Sequence, residues 1–291
     1  MVNNQYYGWL IAIEYTKPFS ENDTLLMDIM ANAASIILEN DKHLILRNSQ
    51  ETVFQELLHS EFTDSSEFFQ RVHNNHMFQN ESWAIVASSQ IHSDDYTILS
   101  AIKNHLSLLL PETPITIEDN TLFVLIDMSN ISYIKNTLRN FFKSNALIGA
   151  ISQSYQNILE AKQYATQAKE LLKIAQLLQI SDPYIEFDKY SYYHAAYTLL
   201  KHGNSQYYIP KELIAVQNYD QKYGTEYCKS IRCWLKNRNL AICAQQLSIH
   251  RNTMVYRFEK FQEISGIDLS NESNLLRLYL AFLIQDLSAL S

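Results

Sequence analysis

Side chains able to bind nucleic acid recur in one short stretch near the C-terminus of the chain. They are His250, Arg251, Asn252, Thr253, Tyr256, Arg257 and Lys260. An arginine can donate two hydrogen bonds to guanine, an asparagine can pair with adenine, and lysine, histidine, threonine and tyrosine can reach phosphates. We expect Arg251, Asn252 and Tyr256 to contact bases or the groove. His250, Thr253 and Lys260 would contact phosphates, whereas Arg257 could instead hold a glutamate at Glu259 or Glu263.

Two predicted helices position these side chains. The first spans residues 239–247, with Ala241, Ala244 and Leu247 facing inward, and a short turn with Ile249 as its apolar plug follows. The second runs from residue 251 to 266, where a glycine favours termination, and its buried face carries Met254, Phe258, Phe261 and Ile264. Such a pair is either a helix-turn-helix or an ordinary amphipathic helix pair, and the spacing fits both.

The motif around the turn resembles a known family. Residues 249–253 (IHRNT), followed by Tyr256 and Arg257 and then by Gly266 and Leu269, are similar to the C-terminal helix-turn-helix of the PucR/CdaR transcription regulators. The resemblance covers about the last eighty residues, including Tyr219-Asp220, residues 224–226, Trp234-Leu235 and a helix over 271–287. It implies a sequence-specific regulator that binds double-stranded DNA as a homodimer and responds to a small-molecule effector, which the sequence does not identify.

The charge distribution agrees with that implication. The chain carries a net charge of −8, but residues 222–262 hold eight basic and two acidic residues. This segment is therefore +6 and the remainder is −14. A basic module on an acidic body is typical of a DNA-binding domain attached to a sensor or dimerisation region. The alternative is a signalling or scaffold protein whose helix-turn-helix only dimerises, which would not require this basic excess.

Glycine spacing argues against several classes of enzyme. The five glycines lie at least 21 residues apart, whereas phosphate-binding loops, dinucleotide fingerprints and nucleophile elbows need glycines within a few residues of one another. We therefore expect no enzymatic activity, no catalytic residue and no cofactor. Cys228, Cys233 and Cys243 lack the pairing and histidines of a metal site, so we expect reduced, mostly buried thiols and no metal.

The N-terminal part predicts a strand and a long helix. Residues 8–15 are rich in aromatic and β-branched side chains, and Ser20 is placed to cap a helix that starts at Glu21 and extends to about residue 40, or as far as residue 58. Apolar positions along this helix, from Leu26 and Met30 to Phe54 and Leu58, have the spacing of a dimeric coiled-coil seam. Residues 1–60 resemble the end of a GAF-type sensor domain.

The middle of the chain predicts an α+β domain. Strands over 83–91, 115–117, 122–127, 146–151 and 185–187 alternate with helices over 95–109, 131–143 and 156–178. The β-α-β-β-α-β order predicts a ferredoxin-like antiparallel sheet. This segment, residues 61–188, resembles a GGDEF-like domain on Ile148-Gly149-Ala150-Ile151-Ser152 and the following helix, but lacks the glycine-rich turn of the cyclases. Residues 189–291 are predicted to be an all-α DNA-binding domain, in which Ser270 caps the last helix.

The cellular location is predicted from the absence of membrane-spanning and signal segments in the sequence. No apolar run reaches the ~20 residues of a membrane-spanning helix, and the first residues have neither a basic start nor an apolar signal core. We therefore expect a cytoplasmic protein without a membrane partner.

Overall fold

A computed structural model describes residues 19–59, 82–90, 96–203 and 205–288, together with residues 66, 68, 72 and 78. The strand predicted over residues 8–15 lies outside these residues. The chain divides into two compact units. The first contains the described residues up to Ile148 with Ser152–Gln167, and the second contains Gly149–Ile151 with the residues from Ala168 onward.

The long N-terminal helix is confirmed at its greater predicted length, as α1 spans Glu21–His59. Its start is a reciprocal cap. Asp23 N–H donates to the Ser20 hydroxyl at 3.3 Å, and the backbone N–H of Ser20 donates to the Asp23 carboxylate at 2.9 Å. Two donors that the first turn of a helix leaves unsatisfied are thereby bonded, which confirms Ser20 as the N-cap.

The two ends of α1 have different surroundings. Near its C-terminus, Phe54 and Leu57 are fully buried, and Glu51 pairs with Lys103 at 2.7 Å. Near its N-terminus, large apolar side chains are 53–61% exposed, namely Leu25, Leu26, Ile29 and Met30. The predicted seam therefore does not continue along the whole helix, because its last members are buried within the first unit.

The α+β architecture predicted for the middle of the chain is confirmed. In chain order its elements are β1 (Trp83–Gln90), α2 (Tyr96–Leu109), β2 (Ile115–Glu118), β3 (Thr121–Asp127), α3 (Ile131–Ser144), β4 (Leu147–Ile151), α4 (Ala161–Leu177) and β5 (Tyr184–Glu186). Six consecutive residues of β3 are buried, as expected for a central strand covered on both faces.

The sheet is mixed, so the prediction of an antiparallel sheet was wrong in this respect. The strand order is β2-β3-β1-β4-β5. β3 pairs antiparallel with β1 and β2, with Trp83 opposite Asp127 and Ile115 opposite Val124. β5 pairs parallel with β4, with Gly149 opposite Tyr184. The reason is the connection: α4 carries the chain back past the sheet, and a crossover helix delivers the next strand in the same direction.

The hairpin between β2 and β3 explains how a turn forms without glycine. Glu118 pairs with Thr121, which leaves Asp119 and Asn120 as the two loop residues. Both have positive φ, 46° and 56°. A two-residue hairpin of this type needs positive φ at both positions, and Asp and Asn tolerate that conformation better than other non-glycine residues.

The C-terminal part is helical, as predicted. Its helices are α5 (Phe187–Lys201), α6 (Lys211–Tyr223), α7 (Tyr227–Asn237), α8 (Leu240–Gln246), α9 (Arg251–Ser265) and α10 (Glu272–Ser288). A shared core joins α6, α7, α9 and α10, with Leu213, Ile231, Phe261 and Leu278 fully buried. The helix α10 therefore supports α9 from within the same unit.

Two details of this part differ from expectation. The helix α5 forms in a segment for which the sequence predicted no separate element. Asn271, rather than the expected Ser270, caps α10, because its side chain accepts hydrogen bonds from the N–H groups of Ser273 at 2.9 Å and Asn274 at 3.3 Å.

Within the part of the chain that the structure describes, no helix combines the length and apolarity that a membrane crossing requires.

Candidate nucleic-acid interface

The helix α8 begins at a side-chain cap. Asn239 lies just before it in an extended conformation, and its Oδ1 accepts hydrogen bonds from the N–H groups of Ala241 at 2.9 Å and Ile242 at 3.1 Å. Asparagine is among the best residues for this position. The cap therefore fixes where the first helix of the predicted motif starts.

The turn between α8 and α9 is a Schellman motif. Ile249 N–H donates to the Ala244 carbonyl at 2.9 Å, and Ser248 N–H donates to the Gln245 carbonyl at 3.1 Å. Ser248 has a φ of 55°, at the position where glycine is usual. Ile249 packs with Ala244 in the small core under the turn, as the sequence predicted for this apolar plug.

The helix α9 is bounded by the predicted residues. His250 is its N-cap, and the ring Nδ1 accepts a hydrogen bond from the N–H of Asn252 at 3.2 Å. Gly266 follows the helix with a φ of 69°. A histidine that caps through Nδ1 leaves only its other ring nitrogen for an external partner.

One face of α9 is buried. Met254 and Phe261 are fully buried, and the Phe258 ring packs edge-on against Trp234 of α7 with centroids 4.8 Å apart. On α8 the inward residues are Cys243 and Ala244, against which Leu247 packs. Ala241 is exposed, so its predicted inward position was wrong, because the crossing point of α9 lies further along this short helix.

The opposite face of α9 holds most of the predicted contact residues. Arg251, Asn252 and Thr253 are exposed in the first turn, and Tyr256 is 51% exposed in the next. The Tyr256 ring packs edge-on against the ring of Tyr227 on α7, with centroids 6.5 Å apart. Burial, followed by the interaction with Tyr256, raises the pKa of Tyr227. Tyr256 therefore has a fixed position while keeping half of its surface open.

Arg257 does not extend from that face. Its Nη1 donates to Glu226 Oε2 at 3.0 Å and lies 3.3 Å from the Ser230 hydroxyl, both outside α9. The prediction that Arg257 could hold Glu259 or Glu263 on α9 was wrong, because the Arg257 side chain points toward α7. Hydrogen bonds from Lys229 and then Arg257 lower the pKa of Glu226. This ion pair therefore persists at neutral pH and is lost as the pH falls through that lowered pKa.

The cations of residues 222–262 fall into two groups. Four of the eight have a carboxylate partner: Lys229 and Arg257 with Glu226, Arg232 with Asp286, and Lys260 with Glu263. The other four, Lys222, Lys236, Arg238 and Arg251, have no carboxylate partner among the residues described. The positive charge free to meet an external anion is therefore carried by only half of these cations.

Asp220 stabilises the turn between α6 and α7, although the sequence indicates it only as part of the resemblance. Its Oδ1 accepts from the Thr225 hydroxyl at 2.6 Å and from Tyr227 N–H at 2.9 Å, and its Oδ2 accepts from Cys228 N–H at 2.9 Å. Asp220 lies in the last turn of α6 and caps α7 from across the turn at Gly224, whose φ is 65°. A carboxylate five or more residues before the helix start is outside the usual cap spacing, which is why the pattern did not reveal it.

The surroundings of Cys228 and Cys243 favour the neutral thiol. The three cysteines are free, and burial raises the pKa of Cys228 and of Cys243, the latter to about 11. Raised pKa values favour the neutral thiol rather than the thiolate that binds metals. Among the described residues, no group of three or more His, Cys, Asp or Glu side chains could hold a metal ion.

Replacing Ser248 by glycine should stabilise the protein. The left-handed conformation costs an L-residue about 1 kcal/mol, and glycine does not bear this cost. We expect Ser248→Gly to raise the free energy of unfolding measured in urea, and Ser248→Val at the same position to lower it. Equal stability of the two variants would contradict the left-handed turn.

Removing the Asp220 carboxylate should destabilise the C-terminal unit. Asp220→Ala leaves two backbone donors and one hydroxyl without their acceptor, which should cost about 2 kcal/mol in urea unfolding. Asp220→Asn keeps one side-chain oxygen and should cost less. An Asp220→Ala variant as stable as the original chain would show that the cap is dispensable.

Comparison with known proteins identifies similar sequences and structures. Residues 227–284 match the family model of the PucR C-terminal helix-turn-helix domain. The proline-responsive transcriptional activator PutR of Bacillus subtilis (strain 168) is 26% identical over 184 residues, which are 58% of this chain and 44% of that protein. This chain thus matches less than half the length of that relative. The crystal structure of a regulator of polyketide synthase expression from Bifidobacterium adolescentis aligns over 81% of this chain and 91% of that one, with 15% identity and a TM-score of 0.33.

The family match covers the helices described above. It begins at the first residue of α7, includes α8, the turn and α9, and ends within α10. The resemblance inferred from residues 249–257 is thereby confirmed. Residues 227–284 of this chain form a PucR-type C-terminal helix-turn-helix domain.

Proposed function

We propose that this chain is a transcription regulator that binds double-stranded DNA in a sequence-specific manner. The observation that carries the proposal is the PucR-type helix-turn-helix at residues 227–284, whose second helix, α9, presents polar side chains on its open face. In this motif the second helix enters the major groove and its N-terminal residues meet the base edges. The open residues of α9 lie in that N-terminal part.

Each contact residue has a proposed role. Arg251 and Asn252 donate to base edges, and Tyr256 contacts the groove from the position that Tyr227 fixes. His250 and Thr253 contact phosphates, whereas Lys260, which pairs with Glu263 at 2.6 Å, has no DNA contact in this proposal. Arg257 positions α9 on α7 through Glu226 and does not itself bind DNA.

The charges along α9 support contact through its first two turns. Glu259 and Glu263 are exposed in the second half of the helix, and Glu263 already holds Lys260 at 2.6 Å. Carboxylates repel phosphates, so the C-terminal half of α9 is unsuited to lie along the DNA backbone. A helix that enters the groove with its N-terminal end avoids this repulsion.

We propose that the regulator is a homodimer and that α1 contributes to the dimer interface. Leu25, Leu26, Ile29 and Met30 form an exposed apolar face on the N-terminal part of α1. The spacing of Leu26, Met30 and Ala33 is that of a coiled-coil seam, which a second copy of the same helix can cover. Two DNA-binding domains can then occupy two half-sites.

The proposed regulator also responds to a small metabolite and consists of three segments. Residues 1–60 and the GGDEF-like segment 61–188 would transmit the signal, and residues 189–291 would bind DNA. The matched relative is named as proline-responsive, so proline is the first effector to add to a DNA-binding assay. A purely dimerising helix-turn-helix is less consistent with the free cations, because a dimer contact between identical basic surfaces would be repulsive.

Replacing Arg251 by alanine should weaken sequence discrimination. One good base contact is worth about 1–3 kcal/mol, so the preference for a specific site over random DNA should fall by about 5- to 150-fold. The measurement is a competition titration of the full chain. Arg277→Ala is the matched control, because Arg277 lies on α10 with Glu212 as its partner at 3.8 Å. An unchanged preference in Arg251→Ala would remove this residue from the proposed base contacts.

Placing charges on the exposed face of α1 should dissociate the dimer. The double variant Leu26→Glu and Met30→Glu brings like charges together across the proposed seam, and we expect a monomer by sedimentation equilibrium at concentrations where the original chain is a dimer. Leu108→Glu is the control, because Leu108 is an apolar residue of α2 that is 77% exposed. A double variant that remains dimeric would contradict the role of α1.

A further inference from the structure

Arg238 is a cation whose surroundings the proposed contacts do not explain. It lies between α7 and α8, directly before the Asn239 cap. Its side chain is exposed and has no carboxylate partner among the described residues. Its backbone is left-handed, with a φ of 53°, at a helix C-terminus where glycine is the favoured residue. The chain therefore places a long, charged side chain where a glycine would fit at lower energy.

The Arg238 side chain is held in a defined place. Its guanidinium lies 4.9 Å from the centre of the Trp234 ring, and the same ring packs edge-on against Phe258 of α9 at 4.8 Å. Trp234 thus links the cation to the helix that enters the groove. A guanidinium that lies over an indole keeps the N–H groups at its edge free. These N–H groups can bind two oxygens of one anion.

From these observations we propose that Arg238, supported by Trp234, is a phosphate-binding residue that holds the DNA backbone beside α8. The inference rests on the proposed function and adds to it a contact outside α9. In a helix-turn-helix the first helix crosses the DNA backbone, which brings the residue before α8 near a phosphate. Lys236, also exposed and without a carboxylate partner among the described residues, adds positive charge to the same turn.

The decisive variant is Arg238→Gly, because it removes the cation while favouring the local backbone. Loss of binding in this variant therefore cannot be attributed to unfolding, and a thermal melt should show stability equal to or above that of the original chain. The full chain is titrated with a specific DNA fragment and with random DNA, each at 0.05 M and 0.2 M salt. The readout is the ratio of the two Kd values for each DNA.

One lost phosphate contact has a defined signature. The logarithmic salt slope should decrease by about 0.9, so that the rise in Kd between the two salt concentrations becomes about threefold smaller than for the original chain. Affinity should fall alike for specific and random DNA, with the preference between them unchanged. Arg238→Lys keeps the charge and should recover the slope. Gln179→Gly, another replacement of a left-handed residue, with a φ of 50°, should leave the slope unchanged, as should Arg277→Ala.

The outcomes separate this inference from the proposed function. A salt slope in Arg238→Gly equal to that of the original chain overturns the phosphate contact, even if the original chain binds its site specifically. A loss of preference without a change in slope also overturns it, because that is the signature of a base contact. If the original chain shows no preference for any site, the proposed function fails, and the slope comparison on random DNA still decides the role of Arg238.

Discussion

The outer face of α9 is available to a partner because its inner face is buried. Met254 and Phe261 are fully removed from solvent, and each such side chain contributes about 2–3 kcal/mol. Phe258 packs on Trp234, and α10 closes the same core with Leu278. This burial fixes the rotation of α9 about its axis, and with it the direction in which Arg251 and Asn252 point.

Polar contacts refine that orientation at both ends of the motif. Asp220 caps α7, Asn239 caps α8 and His250 caps α9, so each helix starts at a defined residue. Arg257 then joins α9 to Glu226, next to the α7 start. The cations with carboxylate partners serve the fold, and those without are left for an external anion. An acidic chain can in this way present a small basic surface.

Much of this fold could be predicted from sequence because its signals are local. Gly266 ends α9, Ser20 caps α1, and the apolar spacing of Met254 and Phe261 predicted a buried face, all of which the structure confirms. The partner of Arg257 could not be predicted, because Glu226 lies just before α7, 31 residues away in the chain. The parallel pairing of β5 likewise depends on where α4 delivers the chain. Which exposed residues of α9 contact DNA stays a prediction.

Sequence-specific DNA binding can be measured by titrating the full chain with fragments of its own upstream DNA, with excess random DNA as competitor, at two salt concentrations. We expect binding that survives the competitor, weakens as salt rises, and protects two half-sites in a footprint. Binding that the competitor abolishes at both salt concentrations would contradict this expectation, because the helix-turn-helix would then provide a basic surface without sequence readout.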